Sequence, residues 1–116
     1  MKYAVVGSRT FNYYPFMEKV LSSYNDITTI ISGGARGADS LAKRYAEEHN
    51  LNYVEFPALW DFYGKSAGYL RNQQIVDAAK VVIAFWDGES KGTRHTIKLA
   101  ETQGKPVYKY WPYNIS

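Results

Sequence analysis

Three runs in this chain are apolar almost without interruption: Tyr3-Ala4-Val5-Val6, Ile27-Thr28-Thr29-Ile30-Ile31 and Val81-Val82-Ile83-Ala84-Phe85-Trp86. A strand that is wet on one face alternates apolar and polar side chains. A strand covered on both faces does not, and continuous β-branched runs of this kind belong to parallel sheets buried between helices. Two further runs, Tyr53-Val54-Glu55-Phe56 and Val107-Tyr108-Lys109-Tyr110, alternate with charge, as edge strands do. Helical patterns fill the intervals. Ala38, Leu41, Ala42, Tyr45 and Ala46 recur at i, i+3, i+4, i+7 and i+8, an amphipathic face. Pro15 suits the first turn of a helix running to Tyr24, and Gly104-Lys105-Pro106 stops one that begins near Thr93. A further helix is expected from Ala67 to Ala79.

This βαβαβαβαβ alternation predicts an α/β, Rossmann-like domain of three layers, with a parallel five-stranded sheet between helices. Right-handed crossovers make 3-2-1-4-5 the natural strand order, which puts the most apolar strands in the middle. The chain reverses direction between strands one and four. Ligands of open α/β sheets bind at such a switch point, beyond the carboxyl ends of the strands.

The glycines gather in the loops that this order brings together. Gly7-Ser8-Arg9-Thr10 follows strand one, and Ser32-Gly33-Gly34-Ala35-Arg36-Gly37-Ala38-Asp39 follows strand two. Asp87-Gly88-Glu89-Ser90-Lys91-Gly92-Thr93 follows strand four. A glycine-bearing turn into a helix N-terminus exposes backbone N–H groups, lets the backbone approach a phosphate, and adds the favourable end of the helix dipole. Ser8, Ser90 and Thr93 add hydroxyls, while Arg9, Arg36 and Lys91 add charge. The plainer reading is three ordinary turns, with Asp39, Ser90 and Thr93 as helix caps. Three such turns at one sheet edge favour the phosphate reading. Arg71-Asn72 lies in the fourth helical stretch, and periodicity leaves open whether Arg71 points to the site or to solvent.

Other chemistries find little footing. With no cysteine there is no disulfide scaffold and no thiol nucleophile, and a reducing cytoplasm is the expected compartment. Gly64-Lys65-Ser66 looks like the end of a P-loop, but the first glycine of that motif would fall on Leu59. Gly33 to Gly37 does not fit a dinucleotide fingerprint. His49 and His95 lack metal-ligand spacing and are expected at the surface, so neither a metal nor a cofactor is expected. The chain opens straight into a strand, without a leader pattern, and its longest apolar run falls far short of the roughly 20 residues of a membrane helix, so no membrane partner is expected. The Asn114-Ile115-Ser116 sequon accordingly carries no meaning. The net charge of +3 and a pI of about 9.0 favour phosphate-bearing ligands. They lack the dense basic patch expected of a nucleic-acid protein, so a nucleic-acid strand is not expected as partner.

Four ordered motifs together resemble a known family: Gly7-Ser8-Arg9, Ser32 to Asp39, Tyr63-Gly64-Lys65-Ser66-Ala67-Gly68-Tyr69-Leu70-Arg71-Asn72, and Trp86 to Thr93. They are similar to the SLOG superfamily, and most nearly to its small YpsA-related branch, the YspA group, over Tyr3 to Tyr110. The superfamily also holds the Smf/DprA DNA-processing proteins and the LOG phosphoribohydrolases. The resemblance implies a Rossmann-like fold that binds nucleotides or nucleotide-derived ligands, including ADP-ribose-like signals in bacterial and phage conflict. LOG enzymes pair an Arg on the helix before strand four with a Glu in a G-G-x-G-T-x-x-E loop. Arg71 matches that Arg and Gly92-Thr93 match its Gly-Thr, but the Glu position falls on Thr96, which is no acid or base near neutral pH. The resemblance therefore implies phosphate recognition and leans away from enzyme activity.

The expectation is a single SLOG-like nucleotide-binding domain over residues 1–116. It would act as a sensor or sequestering sponge for a nucleotide or a linear or cyclic ADP-ribose derivative, a role suited to a chain that shows no effector domain. The expected ligand and phosphate residues are Gly7, Ser8, Arg9, Gly33, Gly34, Arg36, Asp39, Arg71, Ser90, Gly92 and Thr93, with no catalytic residue assigned. Asp39 would cap its helix or accept a sugar hydroxyl. Trp60, Tyr63 and Trp86 are candidates to stack on a base or to sit in the core. One alternative is a phosphoribohydrolase or N-glycosidic hydrolase using Asp39, Asp87 or Glu89. The other is DprA-like binding of single-stranded nucleic acid, which requires aromatics interleaved with a basic groove. A homodimer or higher homo-oligomer is expected, with the aromatic tail Tyr110-Trp111-Pro112-Tyr113 suited to an interface.

Overall fold

The computed structural model describes residues 1–112, so Tyr113 of the aromatic tail and the Asn114 to Ser116 sequon lie outside the described residues. Five strands, β1 (Lys2–Gly7), β2 (Thr29–Ser32), β3 (Asn52–Glu55), β4 (Val81–Phe85) and β5 (Val107–Tyr110), form one all-parallel sheet in the order β3-β2-β1-β4-β5. The helices are α1 (Tyr14–Ser22), α2 (Ala38–Glu48), α3 (Trp60–Tyr63), α4 (Ala67–Ala78) and α5 (Lys91–Thr102). A 3₁₀ turn, Gly64–Ser66, joins α3 to α4. The architecture is the α/β, Rossmann-like one predicted from the apolar runs, with the alternating runs at the two edges.

Residue parity divides the core. Tyr3 and Val5 of β1, Ile30 of β2, and Val81, Ile83 and Phe85 of β4 face one side, where they pack with Phe11, Tyr14, Met17 and Leu21 and with Ala38, Ala42, Tyr45 and Ala46 of α2. Ala4, Val6, Ile31, Val82 and Ala84 face the other, against Ile75 and Val76 of α4 and Ile97 and Ala100 of α5. Both faces of the central strands are thus dry, which is why their runs carry no polar alternation. Each fully buried Val, Ile or Phe contributes about 1.5–3 kcal/mol relative to an exposed one. Among the described residues no helix is long and apolar enough to cross a membrane.

Boundaries shift where side chains find other uses. α1 ends at Ser22, short of Tyr24. Tyr24 instead turns edge-on to Tyr3 at 5.5 Å and shares a 2.6 Å hydrogen bond with the Tyr110 hydroxyl. Trp86 lies beyond the end of β4, although its N–H still donates to the Tyr110 carbonyl at 3.1 Å.

The register that matters for function is that of β1 and β4. They pair from Tyr3 with Val81 to Gly7 with Phe85, so both strands end level. The loops that follow them therefore emerge side by side, with the loop after β2 on the flank.

Candidate functional site

Ser8 ties these loops together. It is 1 % exposed. Its N–H donates to the Phe85 carbonyl at 3.0 Å, and its own carbonyl accepts from Phe11 at 3.1 Å and from Ala38 at 3.3 Å. The hydroxyl accepts the Asp87 N–H at 3.2 Å, and its own proton turns toward the Asp87 carboxylate and helps to keep it ionised. One residue thereby joins the end of β1 to the end of β4 and to the start of α2.

The loop after β4 is shaped by Asp87. One carboxylate oxygen accepts the N–H of Glu89 at 2.8 Å and of Ser90 at 2.9 Å. Those two bonds hold the carboxyl below its ordinary range, so it is an ionised brace. Glu89 is exposed. Ser90 occupies the N-cap position of α5, but no side chain caps that helix. The Ser90 hydroxyl pairs with that of Thr93 at 3.1 Å, and the Ser90 carbonyl accepts the Trp86 indole N–H at 3.0 Å. The first-turn N–H groups of α5 have no partner within the helix. At Gly92 an added Cβ would meet nothing within 4 Å, so the approach to them is open.

Asp39 braces the loop after β2. Of the two roles expected for it, helix cap or acceptor of a sugar hydroxyl, the first does not hold, because Gly37 takes the N-cap position of α2 and Asp39 stands in the first turn. One of its oxygens accepts the N–H of Gly33 at 3.2 Å and of Ala35 at 3.3 Å. Asp39 is 6 % exposed, and burial pushes its carboxyl up from 3.8 to about 6, against the pull of those two bonds and of Arg71. Gly37 has φ of 76°, and a Cβ there would stand 2.5 Å from the carbonyl oxygens of Ser8 and Arg9. Only glycine lets the first two loops lie this close.

Arg71 points inward. From α4 its Nη1 donates to the Gly33 carbonyl at 2.9 Å and its Nε to the Asn72 side-chain oxygen at 3.0 Å. Asn72 is 6 % exposed, and its Nδ2 donates to the Gly92 carbonyl at 3.3 Å and lies 3.1 Å from His95 Nδ1. Asn72 thus links the Arg71 guanidinium to the first turn of α5, a role sequence reasoning did not give it. Its placement one residue after an arginine on a helix that also buries Ile75 and Val76 was the available signal. His95 was expected at the surface but is half-buried, with its ring edge-on to Tyr69 at 4.6 Å. Burial lowers its pKa, which keeps the imidazole neutral and Nδ1 free to accept from Asn72. His49 is exposed, 3.2 Å from Glu18.

Two clefts open at this sheet edge. The first, of about 330 Å³, lies between the loops after β1 and β4 and the N-terminus of α5. It is lined by eight of the expected residues, Gly7, Ser8, Arg9, Asp39, Arg71, Ser90, Gly92 and Thr93, together with Thr10, Ala35, Asn72, Ile75, Asp87 and Thr96. Gly33, Gly34 and Arg36 line instead a neighbouring cleft of about 350 Å³, with Trp60 and Glu55. Arg9, Ala35 and Arg71 border both. Trp60 is 54 % exposed. Tyr63, as exposed, borders a third and more apolar hollow beside Leu59 and Leu70. Trp86 lines none of these three hollows. Its ring packs at the margin of the α4/α5 core, with the Arg94 guanidinium 5.7 Å from the ring centre. Among the described residues no group of three or more His, Cys, Asp or Glu is arranged to hold a metal.

Comparison with known proteins completes the description. The gene 61 protein of Mycobacterium phage D29 is 42% identical over an 87-residue alignment, and the match covers 70% of this chain and 70% of that protein. Among solved structures, DNA processing protein A of Helicobacter pylori, described for its single-stranded DNA binding mode, superposes with a TM-score of 0.70 at 21% identity. The match covers 94% of this chain but only 64% of that one, and at this identity the likeness is one of fold. It corrects one expectation. The modest net charge argued against a nucleic-acid strand as partner, yet a solved structure with this fold belongs to a protein described for binding one. Net charge averages a whole surface, whereas a ligand meets a local field that salt screens over about 10 Å. Three arginines, Arg9, Arg36 and Arg71, share one cleft here. The family model described as YspA, cpYpsA-related SLOG matches residues 1–63, and with the phage relative it establishes that the chain belongs to the SLOG family.

Proposed function

We propose that the chain binds the phosphate of a nucleotide in the cleft between the loops after β1 and β4. One observation carries this reading: the uncapped N-terminus of α5, the hydroxyls of Ser90 and Thr93 and the braced guanidinium of Arg71 border the same opening. A phosphate there would receive backbone N–H groups, a hydroxyl and a fixed cation at once. Within the first cleft the guanidinium and the helix end offset the carboxylates of Asp39 and Asp87, each of which commits one oxygen to two loop N–H groups. The ligand class we favour is a nucleotide or a linear or cyclic ADP-ribose derivative. The role is that of a sensor or a sequestering protein in bacterial or phage conflict, which the phage-encoded relative supports.

The test is calorimetry with AMP and ADP-ribose on the wild-type chain and on Arg71→Ala. A hydrogen bond to a charged group is worth about 1.5–3 kcal/mol, so affinity should fall roughly ten- to a hundredfold. Unchanged affinity removes Arg71 from the site.

A second reading has its own support. The fold shared with the Helicobacter DNA processing protein favours a single strand whose phosphates cross the same edge. A strand that meets several cations loses affinity steeply with added salt, while a single nucleotide held by N–H groups does not. Titrating AMP and an oligonucleotide across a range of salt separates the two.

A further inference from the structure

Resting on the reading that the first cleft takes a phosphate, we infer that the site holds two linked nucleotide units, the second lying in the neighbouring cleft between Arg36 and Trp60. The two clefts, of about 330 and 350 Å³, share Arg9, Ala35 and Arg71 as a common wall. A ligand that crosses this wall would occupy both, as the two ends of one trough. Each alone stands near the bottom of the roughly 300–1,000 Å³ span of small-ligand sites, and the pair suits a ligand twice the size.

The second cleft has its own chemistry. Arg9 and Arg36 make no ion pair and no side-chain hydrogen bond among the described residues, although the sheet edge around them is densely bonded. Unpartnered guanidinium groups at a concave surface suit a phosphate, which they can meet with paired N–H donors. Arg71 adds charge from the shared wall, while its Nη1 and Nε hold the scaffold. On the outer rim stands Trp60, 54 % exposed, at the start of a short helix whose Phe62 is 81 % exposed. An indole left in water beside a cationic cleft is the pairing that stacks a base above a bound phosphate. Glu55 lines the same cleft, and its carboxylate accepts the Tyr53 hydroxyl at 3.0 Å. It repels an anion, so the second phosphate belongs on the arginine side and a hydroxyl or amino donor faces Glu55.

The shared chemistry is a phosphorylated dinucleotide unit, met either as a free small molecule or as two consecutive units of a strand. Calorimetry with AMP, with the 5′-phosphorylated dinucleotide pApA and with an oligonucleotide of about ten adenylates reads the difference. On the wild-type chain pApA should bind at least about tenfold tighter than AMP, the order expected for one stacked base. In Trp60→Ala and in Arg36→Ala that ratio should collapse toward unity. Both side chains are exposed, so the fold should survive, and an unchanged thermal midpoint checks it. A further gain from pApA to the oligonucleotide, steep in salt, identifies a strand. Equal affinity of the two identifies a free dinucleotide, and either outcome supports the two-unit trough. AMP and pApA binding alike, or a ratio that persists in both variants, overturns the trough while leaving the phosphate reading intact. Failure of AMP and pApA alike to bind overturns both.

Discussion

The guanidinium of Arg71 reaches 38 residues back along the chain to donate to the Gly33 carbonyl at 2.9 Å, through space that only a residue without a side chain leaves free. A Cβ on Gly33 would stand against Nη1. The glycine at this point serves the arginine as much as any ligand. Gly33→Ala should therefore displace Arg71 and cost about as much nucleotide affinity as Arg71→Ala, about 1.5–3 kcal/mol. The double variant should be no worse than either single one, because both remove one arrangement. Calorimetry on the three variants checks this, and additive losses would mean that the two residues act separately.

Asn72 holds the other side of that guanidinium and reaches the Gly92 carbonyl and His95. Asn72→Ala should destabilise the chain by about 1–3 kcal/mol, since a buried side chain that bonds both Arg71 Nε and the Gly92 carbonyl is lost. Urea unfolding measures it. The Nε–H resonance of Arg71 should also move, which a loss of packing elsewhere would not produce.

Asp39 makes stability depend on pH in an unusual direction. Its carboxyl titrates at about 6 in the fold and at an ordinary 3.8 outside it. Between these values the folded chain binds the additional proton, so stability falls as pH rises from about 4 to 6 and then levels off. The contribution is on the order of 3 kcal/mol at about 1.36 kcal/mol per unit. Asp39→Asn keeps an oxygen for the Gly33 and Ala35 N–H groups and removes the ionisation. Its unfolding free energy should lack that decline, and parallel pH profiles for the two proteins would rule out the assignment.

Bound nucleotide should be recovered intact. The resemblance to LOG enzymes aligns their catalytic Glu with Thr96, whose hydroxyl donates to the Gly92 carbonyl at 3.2 Å. Incubation with AMP or ADP-ribose, followed by denaturation and mass spectrometry, should return the ligand. Repeated release of free base, lost in Asp39→Asn, would instead mark Asp39 as the acid of a hydrolase.

Much of this molecule is written locally. Val81 to Phe85 reads as a strand buried on both faces because every residue in it is apolar, and α2 reads as a helix because its small and aromatic residues return every three or four positions. Strand order followed from the handedness of crossovers, and that order brought the glycine loops to one edge. Contacts between distant segments were not legible. Periodicity left Arg71 undecided because its direction depends on how α4 packs beside β2. Asp39 read as a cap because its partners, Gly33 and Ala35, sit in a loop whose path no local rule dictates. α3 spans only Trp60–Tyr63, too short to show a period, so the choice for Trp60 between core and stacking surface stayed open until the fold set it beside Arg36. Local pattern was enough for the five strands, the longer helices, their order, and the gathering of the glycine-bearing turns at one edge. Packing between distant segments decided that this edge carries two neighbouring clefts, because their walls are side chains from α2, α3, α4 and α5 meeting across gaps that local preferences do not span.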